Sequence, residues 1–214
     1  MCRLLYINSK EEFSVKHYLE RFAEIANSSK EYQGHGWGFA YLYDGNWNYY
    51  KNVKPIWEDN FSKFGFTTKL IAHARSAFKD EGIVVENNMP FYDNKYIFIF
   101  NGELRSVKIK EDGRIGAEKI FNYIKRFDKG SMKEAIEKGT EIIKKKSNFI
   151  RAMNFIIAGN SSAYVYSCFN DDPEYFTMQI HQTANNLIIC SQKLTNENEW
   201  IPIQNNSLME IPCF

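Results

Sequence analysis

The stretch KYIFIF, Lys95 to Phe100, is apolar from its second residue onward with no polar residue in alternation. A strand of that kind has no wet face and needs cover on both sides. AMNFIIAG, from Ala152 to Gly159, makes nearly the same demand, and so does CRLLYI at the N-terminus. With 44% hydrophobic and 16% aromatic residues, the chain has enough apolar side chain to bury several layers. The 214 residues contain no Pro/Gly/Ser-rich linker, so one domain over 1–214 is expected.

Helices and further strands follow from periodicity. Ser9 to Glu12, SKEE, has capping-box spacing and predicts a helix whose buried face is Val15, Leu19, Phe22 and Ala26. GWGFAYLY, the turn DGN and WNYY read as a hairpin, and KLIAHA as another strand. Ala117, Ile120, Phe121 and Ile124 mark one helix; Met132, Ala135, Ile136, Ile142 and Ile143 mark the next. AYVYSCF, YFTMQIH, NLIICS and SLMEI then read as strands. Strands covered on both faces, with a helix pair in the middle, predict an α+β fold: a four-layer α/β/β/α sandwich of two antiparallel sheets flanked by helices.

Charge excludes some functions. Twenty-seven basic residues against 26 acidic ones give a net charge of +1, too small a field to draw in nucleic acid or an anionic membrane. Lys144 to Lys146 read as the solvated last turn of a helix, where cations suit the dipole. No apolar run approaches a membrane span and none reads as a signal sequence, so the cytoplasm is the expected location. Cys2, Cys168, Cys190 and Cys213 form no CxxC pair and the four histidines no HExxH, so neither a disulfide framework nor a metal site is expected.

A thiol that matters here matters as a nucleophile. Removal of Met1 would make Cys2 N-terminal, and its freed α-amine, with an ordinary pKa of about 7.7 to 8.0, could take the thiol proton. A buried structural cysteine at a strand start is the competing reading. Asn101-Gly102, ending the apolar KYIFIF run, is a turn signal that also offers a side-chain NH₂ and a backbone N–H to a developing oxyanion. Arg75, at the end of KLIAHA, is either a structural ion pair or a bidentate anchor for a substrate carboxylate. His73, two residues earlier, reads as structural. Around GHGWGFAYL, glycines such as Gly38 would let the main chain approach a ligand or a strand, with Trp37 as a flat wall.

These stretches occur in an order that resembles the class II glutamine amidotransferase domain of the N-terminal-nucleophile hydrolase superfamily, most closely its stand-alone branch. The order is MCR, Gly-Trp-Gly, HARSA, NNMPF and FNGEL, continuing through IGAEKIFNYI to NLIICSQKL, and so spans most of the chain. The resemblance implies Cys2 as nucleophile, Asn101 and Gly102 as the oxyanion pair, and Arg75 as ligand of the glutamine α-carboxylate. It implies hydrolysis of a side-chain amide through a γ-glutamyl thioester, with no cofactor and with any ammonia acceptor on a separate synthase subunit. The departures are also specific. His35 stands where the family has Asp, Met89 where it has His, and Phe100 where it has His. The family's Asp-Ser-Glu, whose Asp receives the substrate ammonium, falls on Gly116, Ala117 and Glu118. Either Glu103 or Glu118 substitutes, or the substrate is another γ-glutamyl amide. A degenerate binding domain is the remaining alternative.

Overall fold

A computed structural model describes residues 1–195 and 199–214. One sheet has seven strands: β1 (Arg3–Ser14), β2 (Trp37–Tyr43), β3 (Asn46–Asn52), β4 (Phe66–Ala74), β9 (Gln179–Gln182), β10 (Asn186–Cys190) and β11 (Ile201–Pro202). Their order is β11-β9-β10-β1-β4-β2-β3. The other, in the order β12-β8-β7-β6-β5, has β5 (Phe91–Tyr92), β6 (Ile97–Arg105), β7 (Phe149–Ala158), β8 (Ser162–Ser167) and β12 (Ser207–Pro212). All the pairings are antiparallel. Helix α1 (Val15–Asn27) covers the first sheet; α2 (Gly116–Lys125) and α3 (Met132–Lys146) cover the second, giving the expected α/β/β/α order.

Alternation along β1 assigns its faces. Leu4 and Tyr6 join Ile99 and Ile156 between the sheets, whereas Leu5 and Ile7 pack with Val15, Leu19 and Phe22 of α1. Cys2 shares the parity of Leu4 and Tyr6. On the outer side of the second sheet, Phe98 stacks on Phe121 of α2 with ring centroids 4.8 Å apart.

Three expectations need correction. SKEE does not start α1, because β1 continues to Ser14 and the cap is Ser14 Oγ, which accepts from His17 N–H. Lys10 N–H finds the Asn185 carbonyl and Phe13 pairs with Thr67, so neighbouring strands keep this segment extended. In YFTMQIH, Tyr175 and Phe176 close a one-turn helix, α4 (Pro173–Phe176), with Pro173 in its first turn, and the strand begins only at Gln179. Asn101-Gly102 is not a turn; β6 runs through it, with Asn101 opposite Asn154 and Gly102 opposite Met153.

Candidate active site

Cys2 stands immediately before β1, the middle strand of its sheet, and is nearly buried. Its thiol faces the Ser76 carbonyl at 3.7 Å, and Ser76 N–H points back at Sγ from 3.5 Å. Burial pushes the thiol pKa up, against the N-terminal ammonium, the Ser76 N–H and Arg75, which favour the thiolate. The Met1 ammonium pairs with Glu31, and the Met1 carbonyl accepts from Gln33 Nε2 and the Tyr175 hydroxyl. Glu31 also accepts from Arg151 at 2.9 Å.

Arg75 follows β4 directly. Its N–H donates to the Gly36 carbonyl at 2.9 Å, and its own carbonyl accepts from His35 N–H at 3.1 Å. Arg75 is 4% exposed, and its guanidinium donates to the Gly82 carbonyl at 2.9 Å, Asn88 Oδ1 at 3.4 Å and the Glu81 carbonyl at 3.5 Å. Among the described residues no carboxylate pairs with it. A buried guanidinium held only by neutral acceptors keeps its charge available to an anion. His35 Nδ1 accepts from Ala77 N–H at 2.9 Å, which ties the loop after Arg75 to the loop before β2. Burial lowers the His35 pKa, consistent with a neutral ring accepting that bond.

The second sheet supplies Asn101 and Gly102. Asn101 is fully buried, and neither amide atom has a hydrogen-bond partner among the described residues. An unpaired buried amide costs about 1–3 kcal/mol per group, so it marks a place where a ligand atom would be welcome. At Gly102 a Cβ would lie 2.2 Å from the Ala152 carbonyl, so only glycine lets β6 and β7 approach this closely.

Cys2, Arg75 and Gly102 meet around a cleft of about 920 Å³, whereas Asn101 is not among the residues that line it. Cys2, Arg75 and Ser76 line it from the first sheet, Gly102 and Glu103 from the second, and Gly116 from the start of α2. Three further residues expected at the substrate lie elsewhere. Trp37 is fully buried in the cluster on the α1 side, stacked on Phe39 and donating to Asp59 Oδ2 at 3.1 Å. Gly38 serves chain packing, since a Cβ there would meet the Met89 carbonyl at 2.5 Å. Glu118 is bound to the Arg114 main-chain N–H and guanidinium, and its carboxylate does not line the cleft. Glu103 does line it, but pairs with Arg105 at 2.6 Å. The sequence reading missed Glu31, Gln33 and Tyr175 around the chain start; they lie in polar loops or a short helix that carry no motif.

No protein-family model matches the sequence, and a search of curated proteins finds no match. The fold is that of class II glutamine amidotransferase domains. The chain superposes on glutamine phosphoribosylpyrophosphate amidotransferase from B. subtilis, solved with ADP and GMP, with TM-score 0.71 and 16% identity; 99% of this chain is covered and 47% of that one. It thus spans about half of that enzyme. A glutamine aminotransferase class-II domain protein from Silicibacter pomeroyi gives TM-score 0.62 at 15% identity, covering 99% of this chain and 95% of that chain. A glutamine amidotransferase from Pseudomonas aeruginosa PA01, itself assigned by prediction, gives TM-score 0.61 at 14% identity, with 99% and 97% covered.

Proposed function

We propose that the chain is a cysteine amidohydrolase of the class II glutamine amidotransferase type, with Cys2 as nucleophile once Met1 has been removed. The observation that carries the reading is the convergence in one cleft of a cysteine beside the chain start, a buried arginine that no carboxylate among the described residues pairs with, and Gly102, whose chain neighbour Asn101 has a buried, unpartnered amide.

The Cys2 α-amine takes the thiol proton, and Sγ attacks the carboxamide carbon. The carbonyl oxygen becomes an oxyanion that receives Asn101 Nδ2–H and Gly102 N–H. The C–N bond then breaks, the nitrogen leaves as ammonia with the transferred proton, and a thioester remains on Sγ. Water attacks that carbonyl, the C–S bond breaks, and a carboxylate and the free thiol result. Arg75 holds the substrate carboxylate, which fixes the amide over Sγ. Where ammonia is passed on rather than released, a separate synthase subunit binds the acceptor. The four cysteines, all free, suit the reducing cytoplasm.

Ammonia release from glutamine, measured in protein shown by mass to lack Met1, tests this. Cys2→Ala is expected to abolish release, and activity surviving that change overturns the assignment.

A further inference from the structure

Met1 lines the cleft beside Cys2, and each of its three chemical parts is matched. Its ammonium pairs with Glu31 Oε2, and its carbonyl accepts from Gln33 Nε2 and the Tyr175 hydroxyl. Its side chain packs against the cluster of Ala152, Phe169, Tyr175 and Phe176. Gln33 is fully buried and also donates to the Tyr175 oxygen at 3.1 Å, which directs the hydroxyl proton to the Met1 carbonyl. Cation, carbonyl and apolar chain are the parts that define an α-amino acid, and the fold provides a partner for each.

Removal of Met1 leaves this pocket one cation short. Glu31 accepts from Arg151 at 2.9 Å, but Arg151 also faces Asp171 at 3.3 Å and Asp172 at 3.7 Å, and Lys30 pairs with Asp172 at 2.8 Å. Three carboxylates thus face Arg151, Lys30 and the Met1 ammonium. The α-amine that excision creates on Cys2 is three bonds along the chain from the nitrogen that Glu31 holds, on the side where the Met1 carbonyl stood. A free amino acid retraces the contacts of Met1 and gains one. Its carboxylate backs away from Cys2 by about 1.5 Å, from a bonded distance of about 1.33 Å to a charge-assisted contact of about 2.8 Å with the new α-ammonium. A thioether against the rings of Phe169, Tyr175 and Phe176 is a favourable contact.

We infer that the space Met1 leaves is a binding site for a free α-amino acid with a methionine-like apolar side chain, and that its occupant inhibits the amidase by holding the Cys2 α-amine as an ammonium. An amine so held cannot take the thiol proton. The inhibition rests on the amidohydrolase reading; the binding site does not, and the two are measured separately.

Titration calorimetry of L-methionine into Cys2→Ala protein lacking Met1 tests the site without turnover. One methionine per chain is expected to bind. N-Acetylmethionine, which has no ammonium, and glycine, which has no side chain, are each expected to bind at least tenfold more weakly, and Glu31→Gln to weaken methionine by a similar factor. The same Cys2→Ala protein made with methionine aminopeptidase inhibited, so that Met1 stays in its pocket, is expected not to bind methionine. Failure of methionine to bind the protein lacking Met1, or equal binding with Met1 in place, overturns the site. With Cys2 intact, saturating methionine is expected to suppress ammonia release from glutamine at least tenfold. Cys2-dependent release that bound methionine leaves unchanged keeps the amidohydrolase and overturns the inhibition. Methionine binding to a protein that releases no ammonia overturns the amidohydrolase and supports the binding site.

Discussion

His73 Nε2 donates to the main-chain carbonyl of Phe100 at 3.2 Å, from a strand of one sheet to a strand of the other. Two residues beyond His73 stands Arg75, and immediately beyond Phe100 stands Asn101. The bond therefore sets the proposed substrate anchor against the proposed oxyanion donor. A carbonyl can only accept, so Nε2 carries the proton and Nδ1 is the bare nitrogen, which has no partner among the described residues.

Burial holds the His73 pKa down to about 3, against an ordinary value near 6.5. A depressed folded-state pKa contributes stability that is fully present above about pH 6.5 and is lost as pH falls toward 3. The loss is about 1.4 kcal/mol per pH unit within that window. His73→Gln keeps a donor for the Phe100 carbonyl and does not titrate. Between pH 6.5 and 4.5 the native protein is expected to lose about 2 to 3 kcal/mol more than this variant in urea unfolding. Parallel curves for the two proteins would contradict a buried neutral His73.

Gly102→Ala puts a methyl 2.2 Å from the Ala152 carbonyl, a main-chain atom that cannot swing away. Strands β6 and β7 must part to admit it, at about 1–3 kcal/mol, and Asn101 moves with β6. The expected result is a lower urea midpoint together with slowed turnover. An unchanged midpoint would mean that β6 and β7 are less closely apposed at Gly102.

Asn101→Ala removes a donor without adding bulk. Loss of one oxyanion donor typically costs about 10²- to 10³-fold in kcat. The expected signature is a fall of that size in kcat with little change in KM. A rise in KM alone would place Asn101 in ground-state binding.

Arg75→Lys keeps the charge but loses the planar fork that reaches the Gly82 and Glu81 carbonyls together. Charge-assisted hydrogen bonds contribute about 1.5–3 kcal/mol, so KM is expected to rise about tenfold to a hundredfold. Steady-state kinetics at saturating amide check that kcat falls less than KM rises.

Much of this was legible in residue types and periods. Unbroken apolar runs such as KYIFIF required cover on both faces, and that requirement leads to stacked sheets. The helix faces of α1 and α2 were readable because their buried residues repeat at helical spacing. Other features depended on tertiary partners. Asn101-Gly102 has turn chemistry locally, yet pairing with Asn154 and Met153 keeps it in a strand. Trp37 looked like a pocket wall beside Gly38, although strand parity puts the two on opposite faces; that signal was present and decides the matter. Glu118 looked free until Arg114, four residues earlier, took its carboxylate. Glu31 reaches Met1 and Arg151 only through the fold, so no local pattern marks it.

The central claim is an N-terminal cysteine that forms a thioester, and intact-protein mass spectrometry after exposure to 6-diazo-5-oxo-norleucine, an amide analogue that alkylates such thiols, tests it most directly. The account predicts protein lacking Met1 with a single adduct that is absent in Cys2→Ala. Protein that keeps Met1 when isolated from its native source, or an adduct that persists in Cys2→Ala, would contradict it.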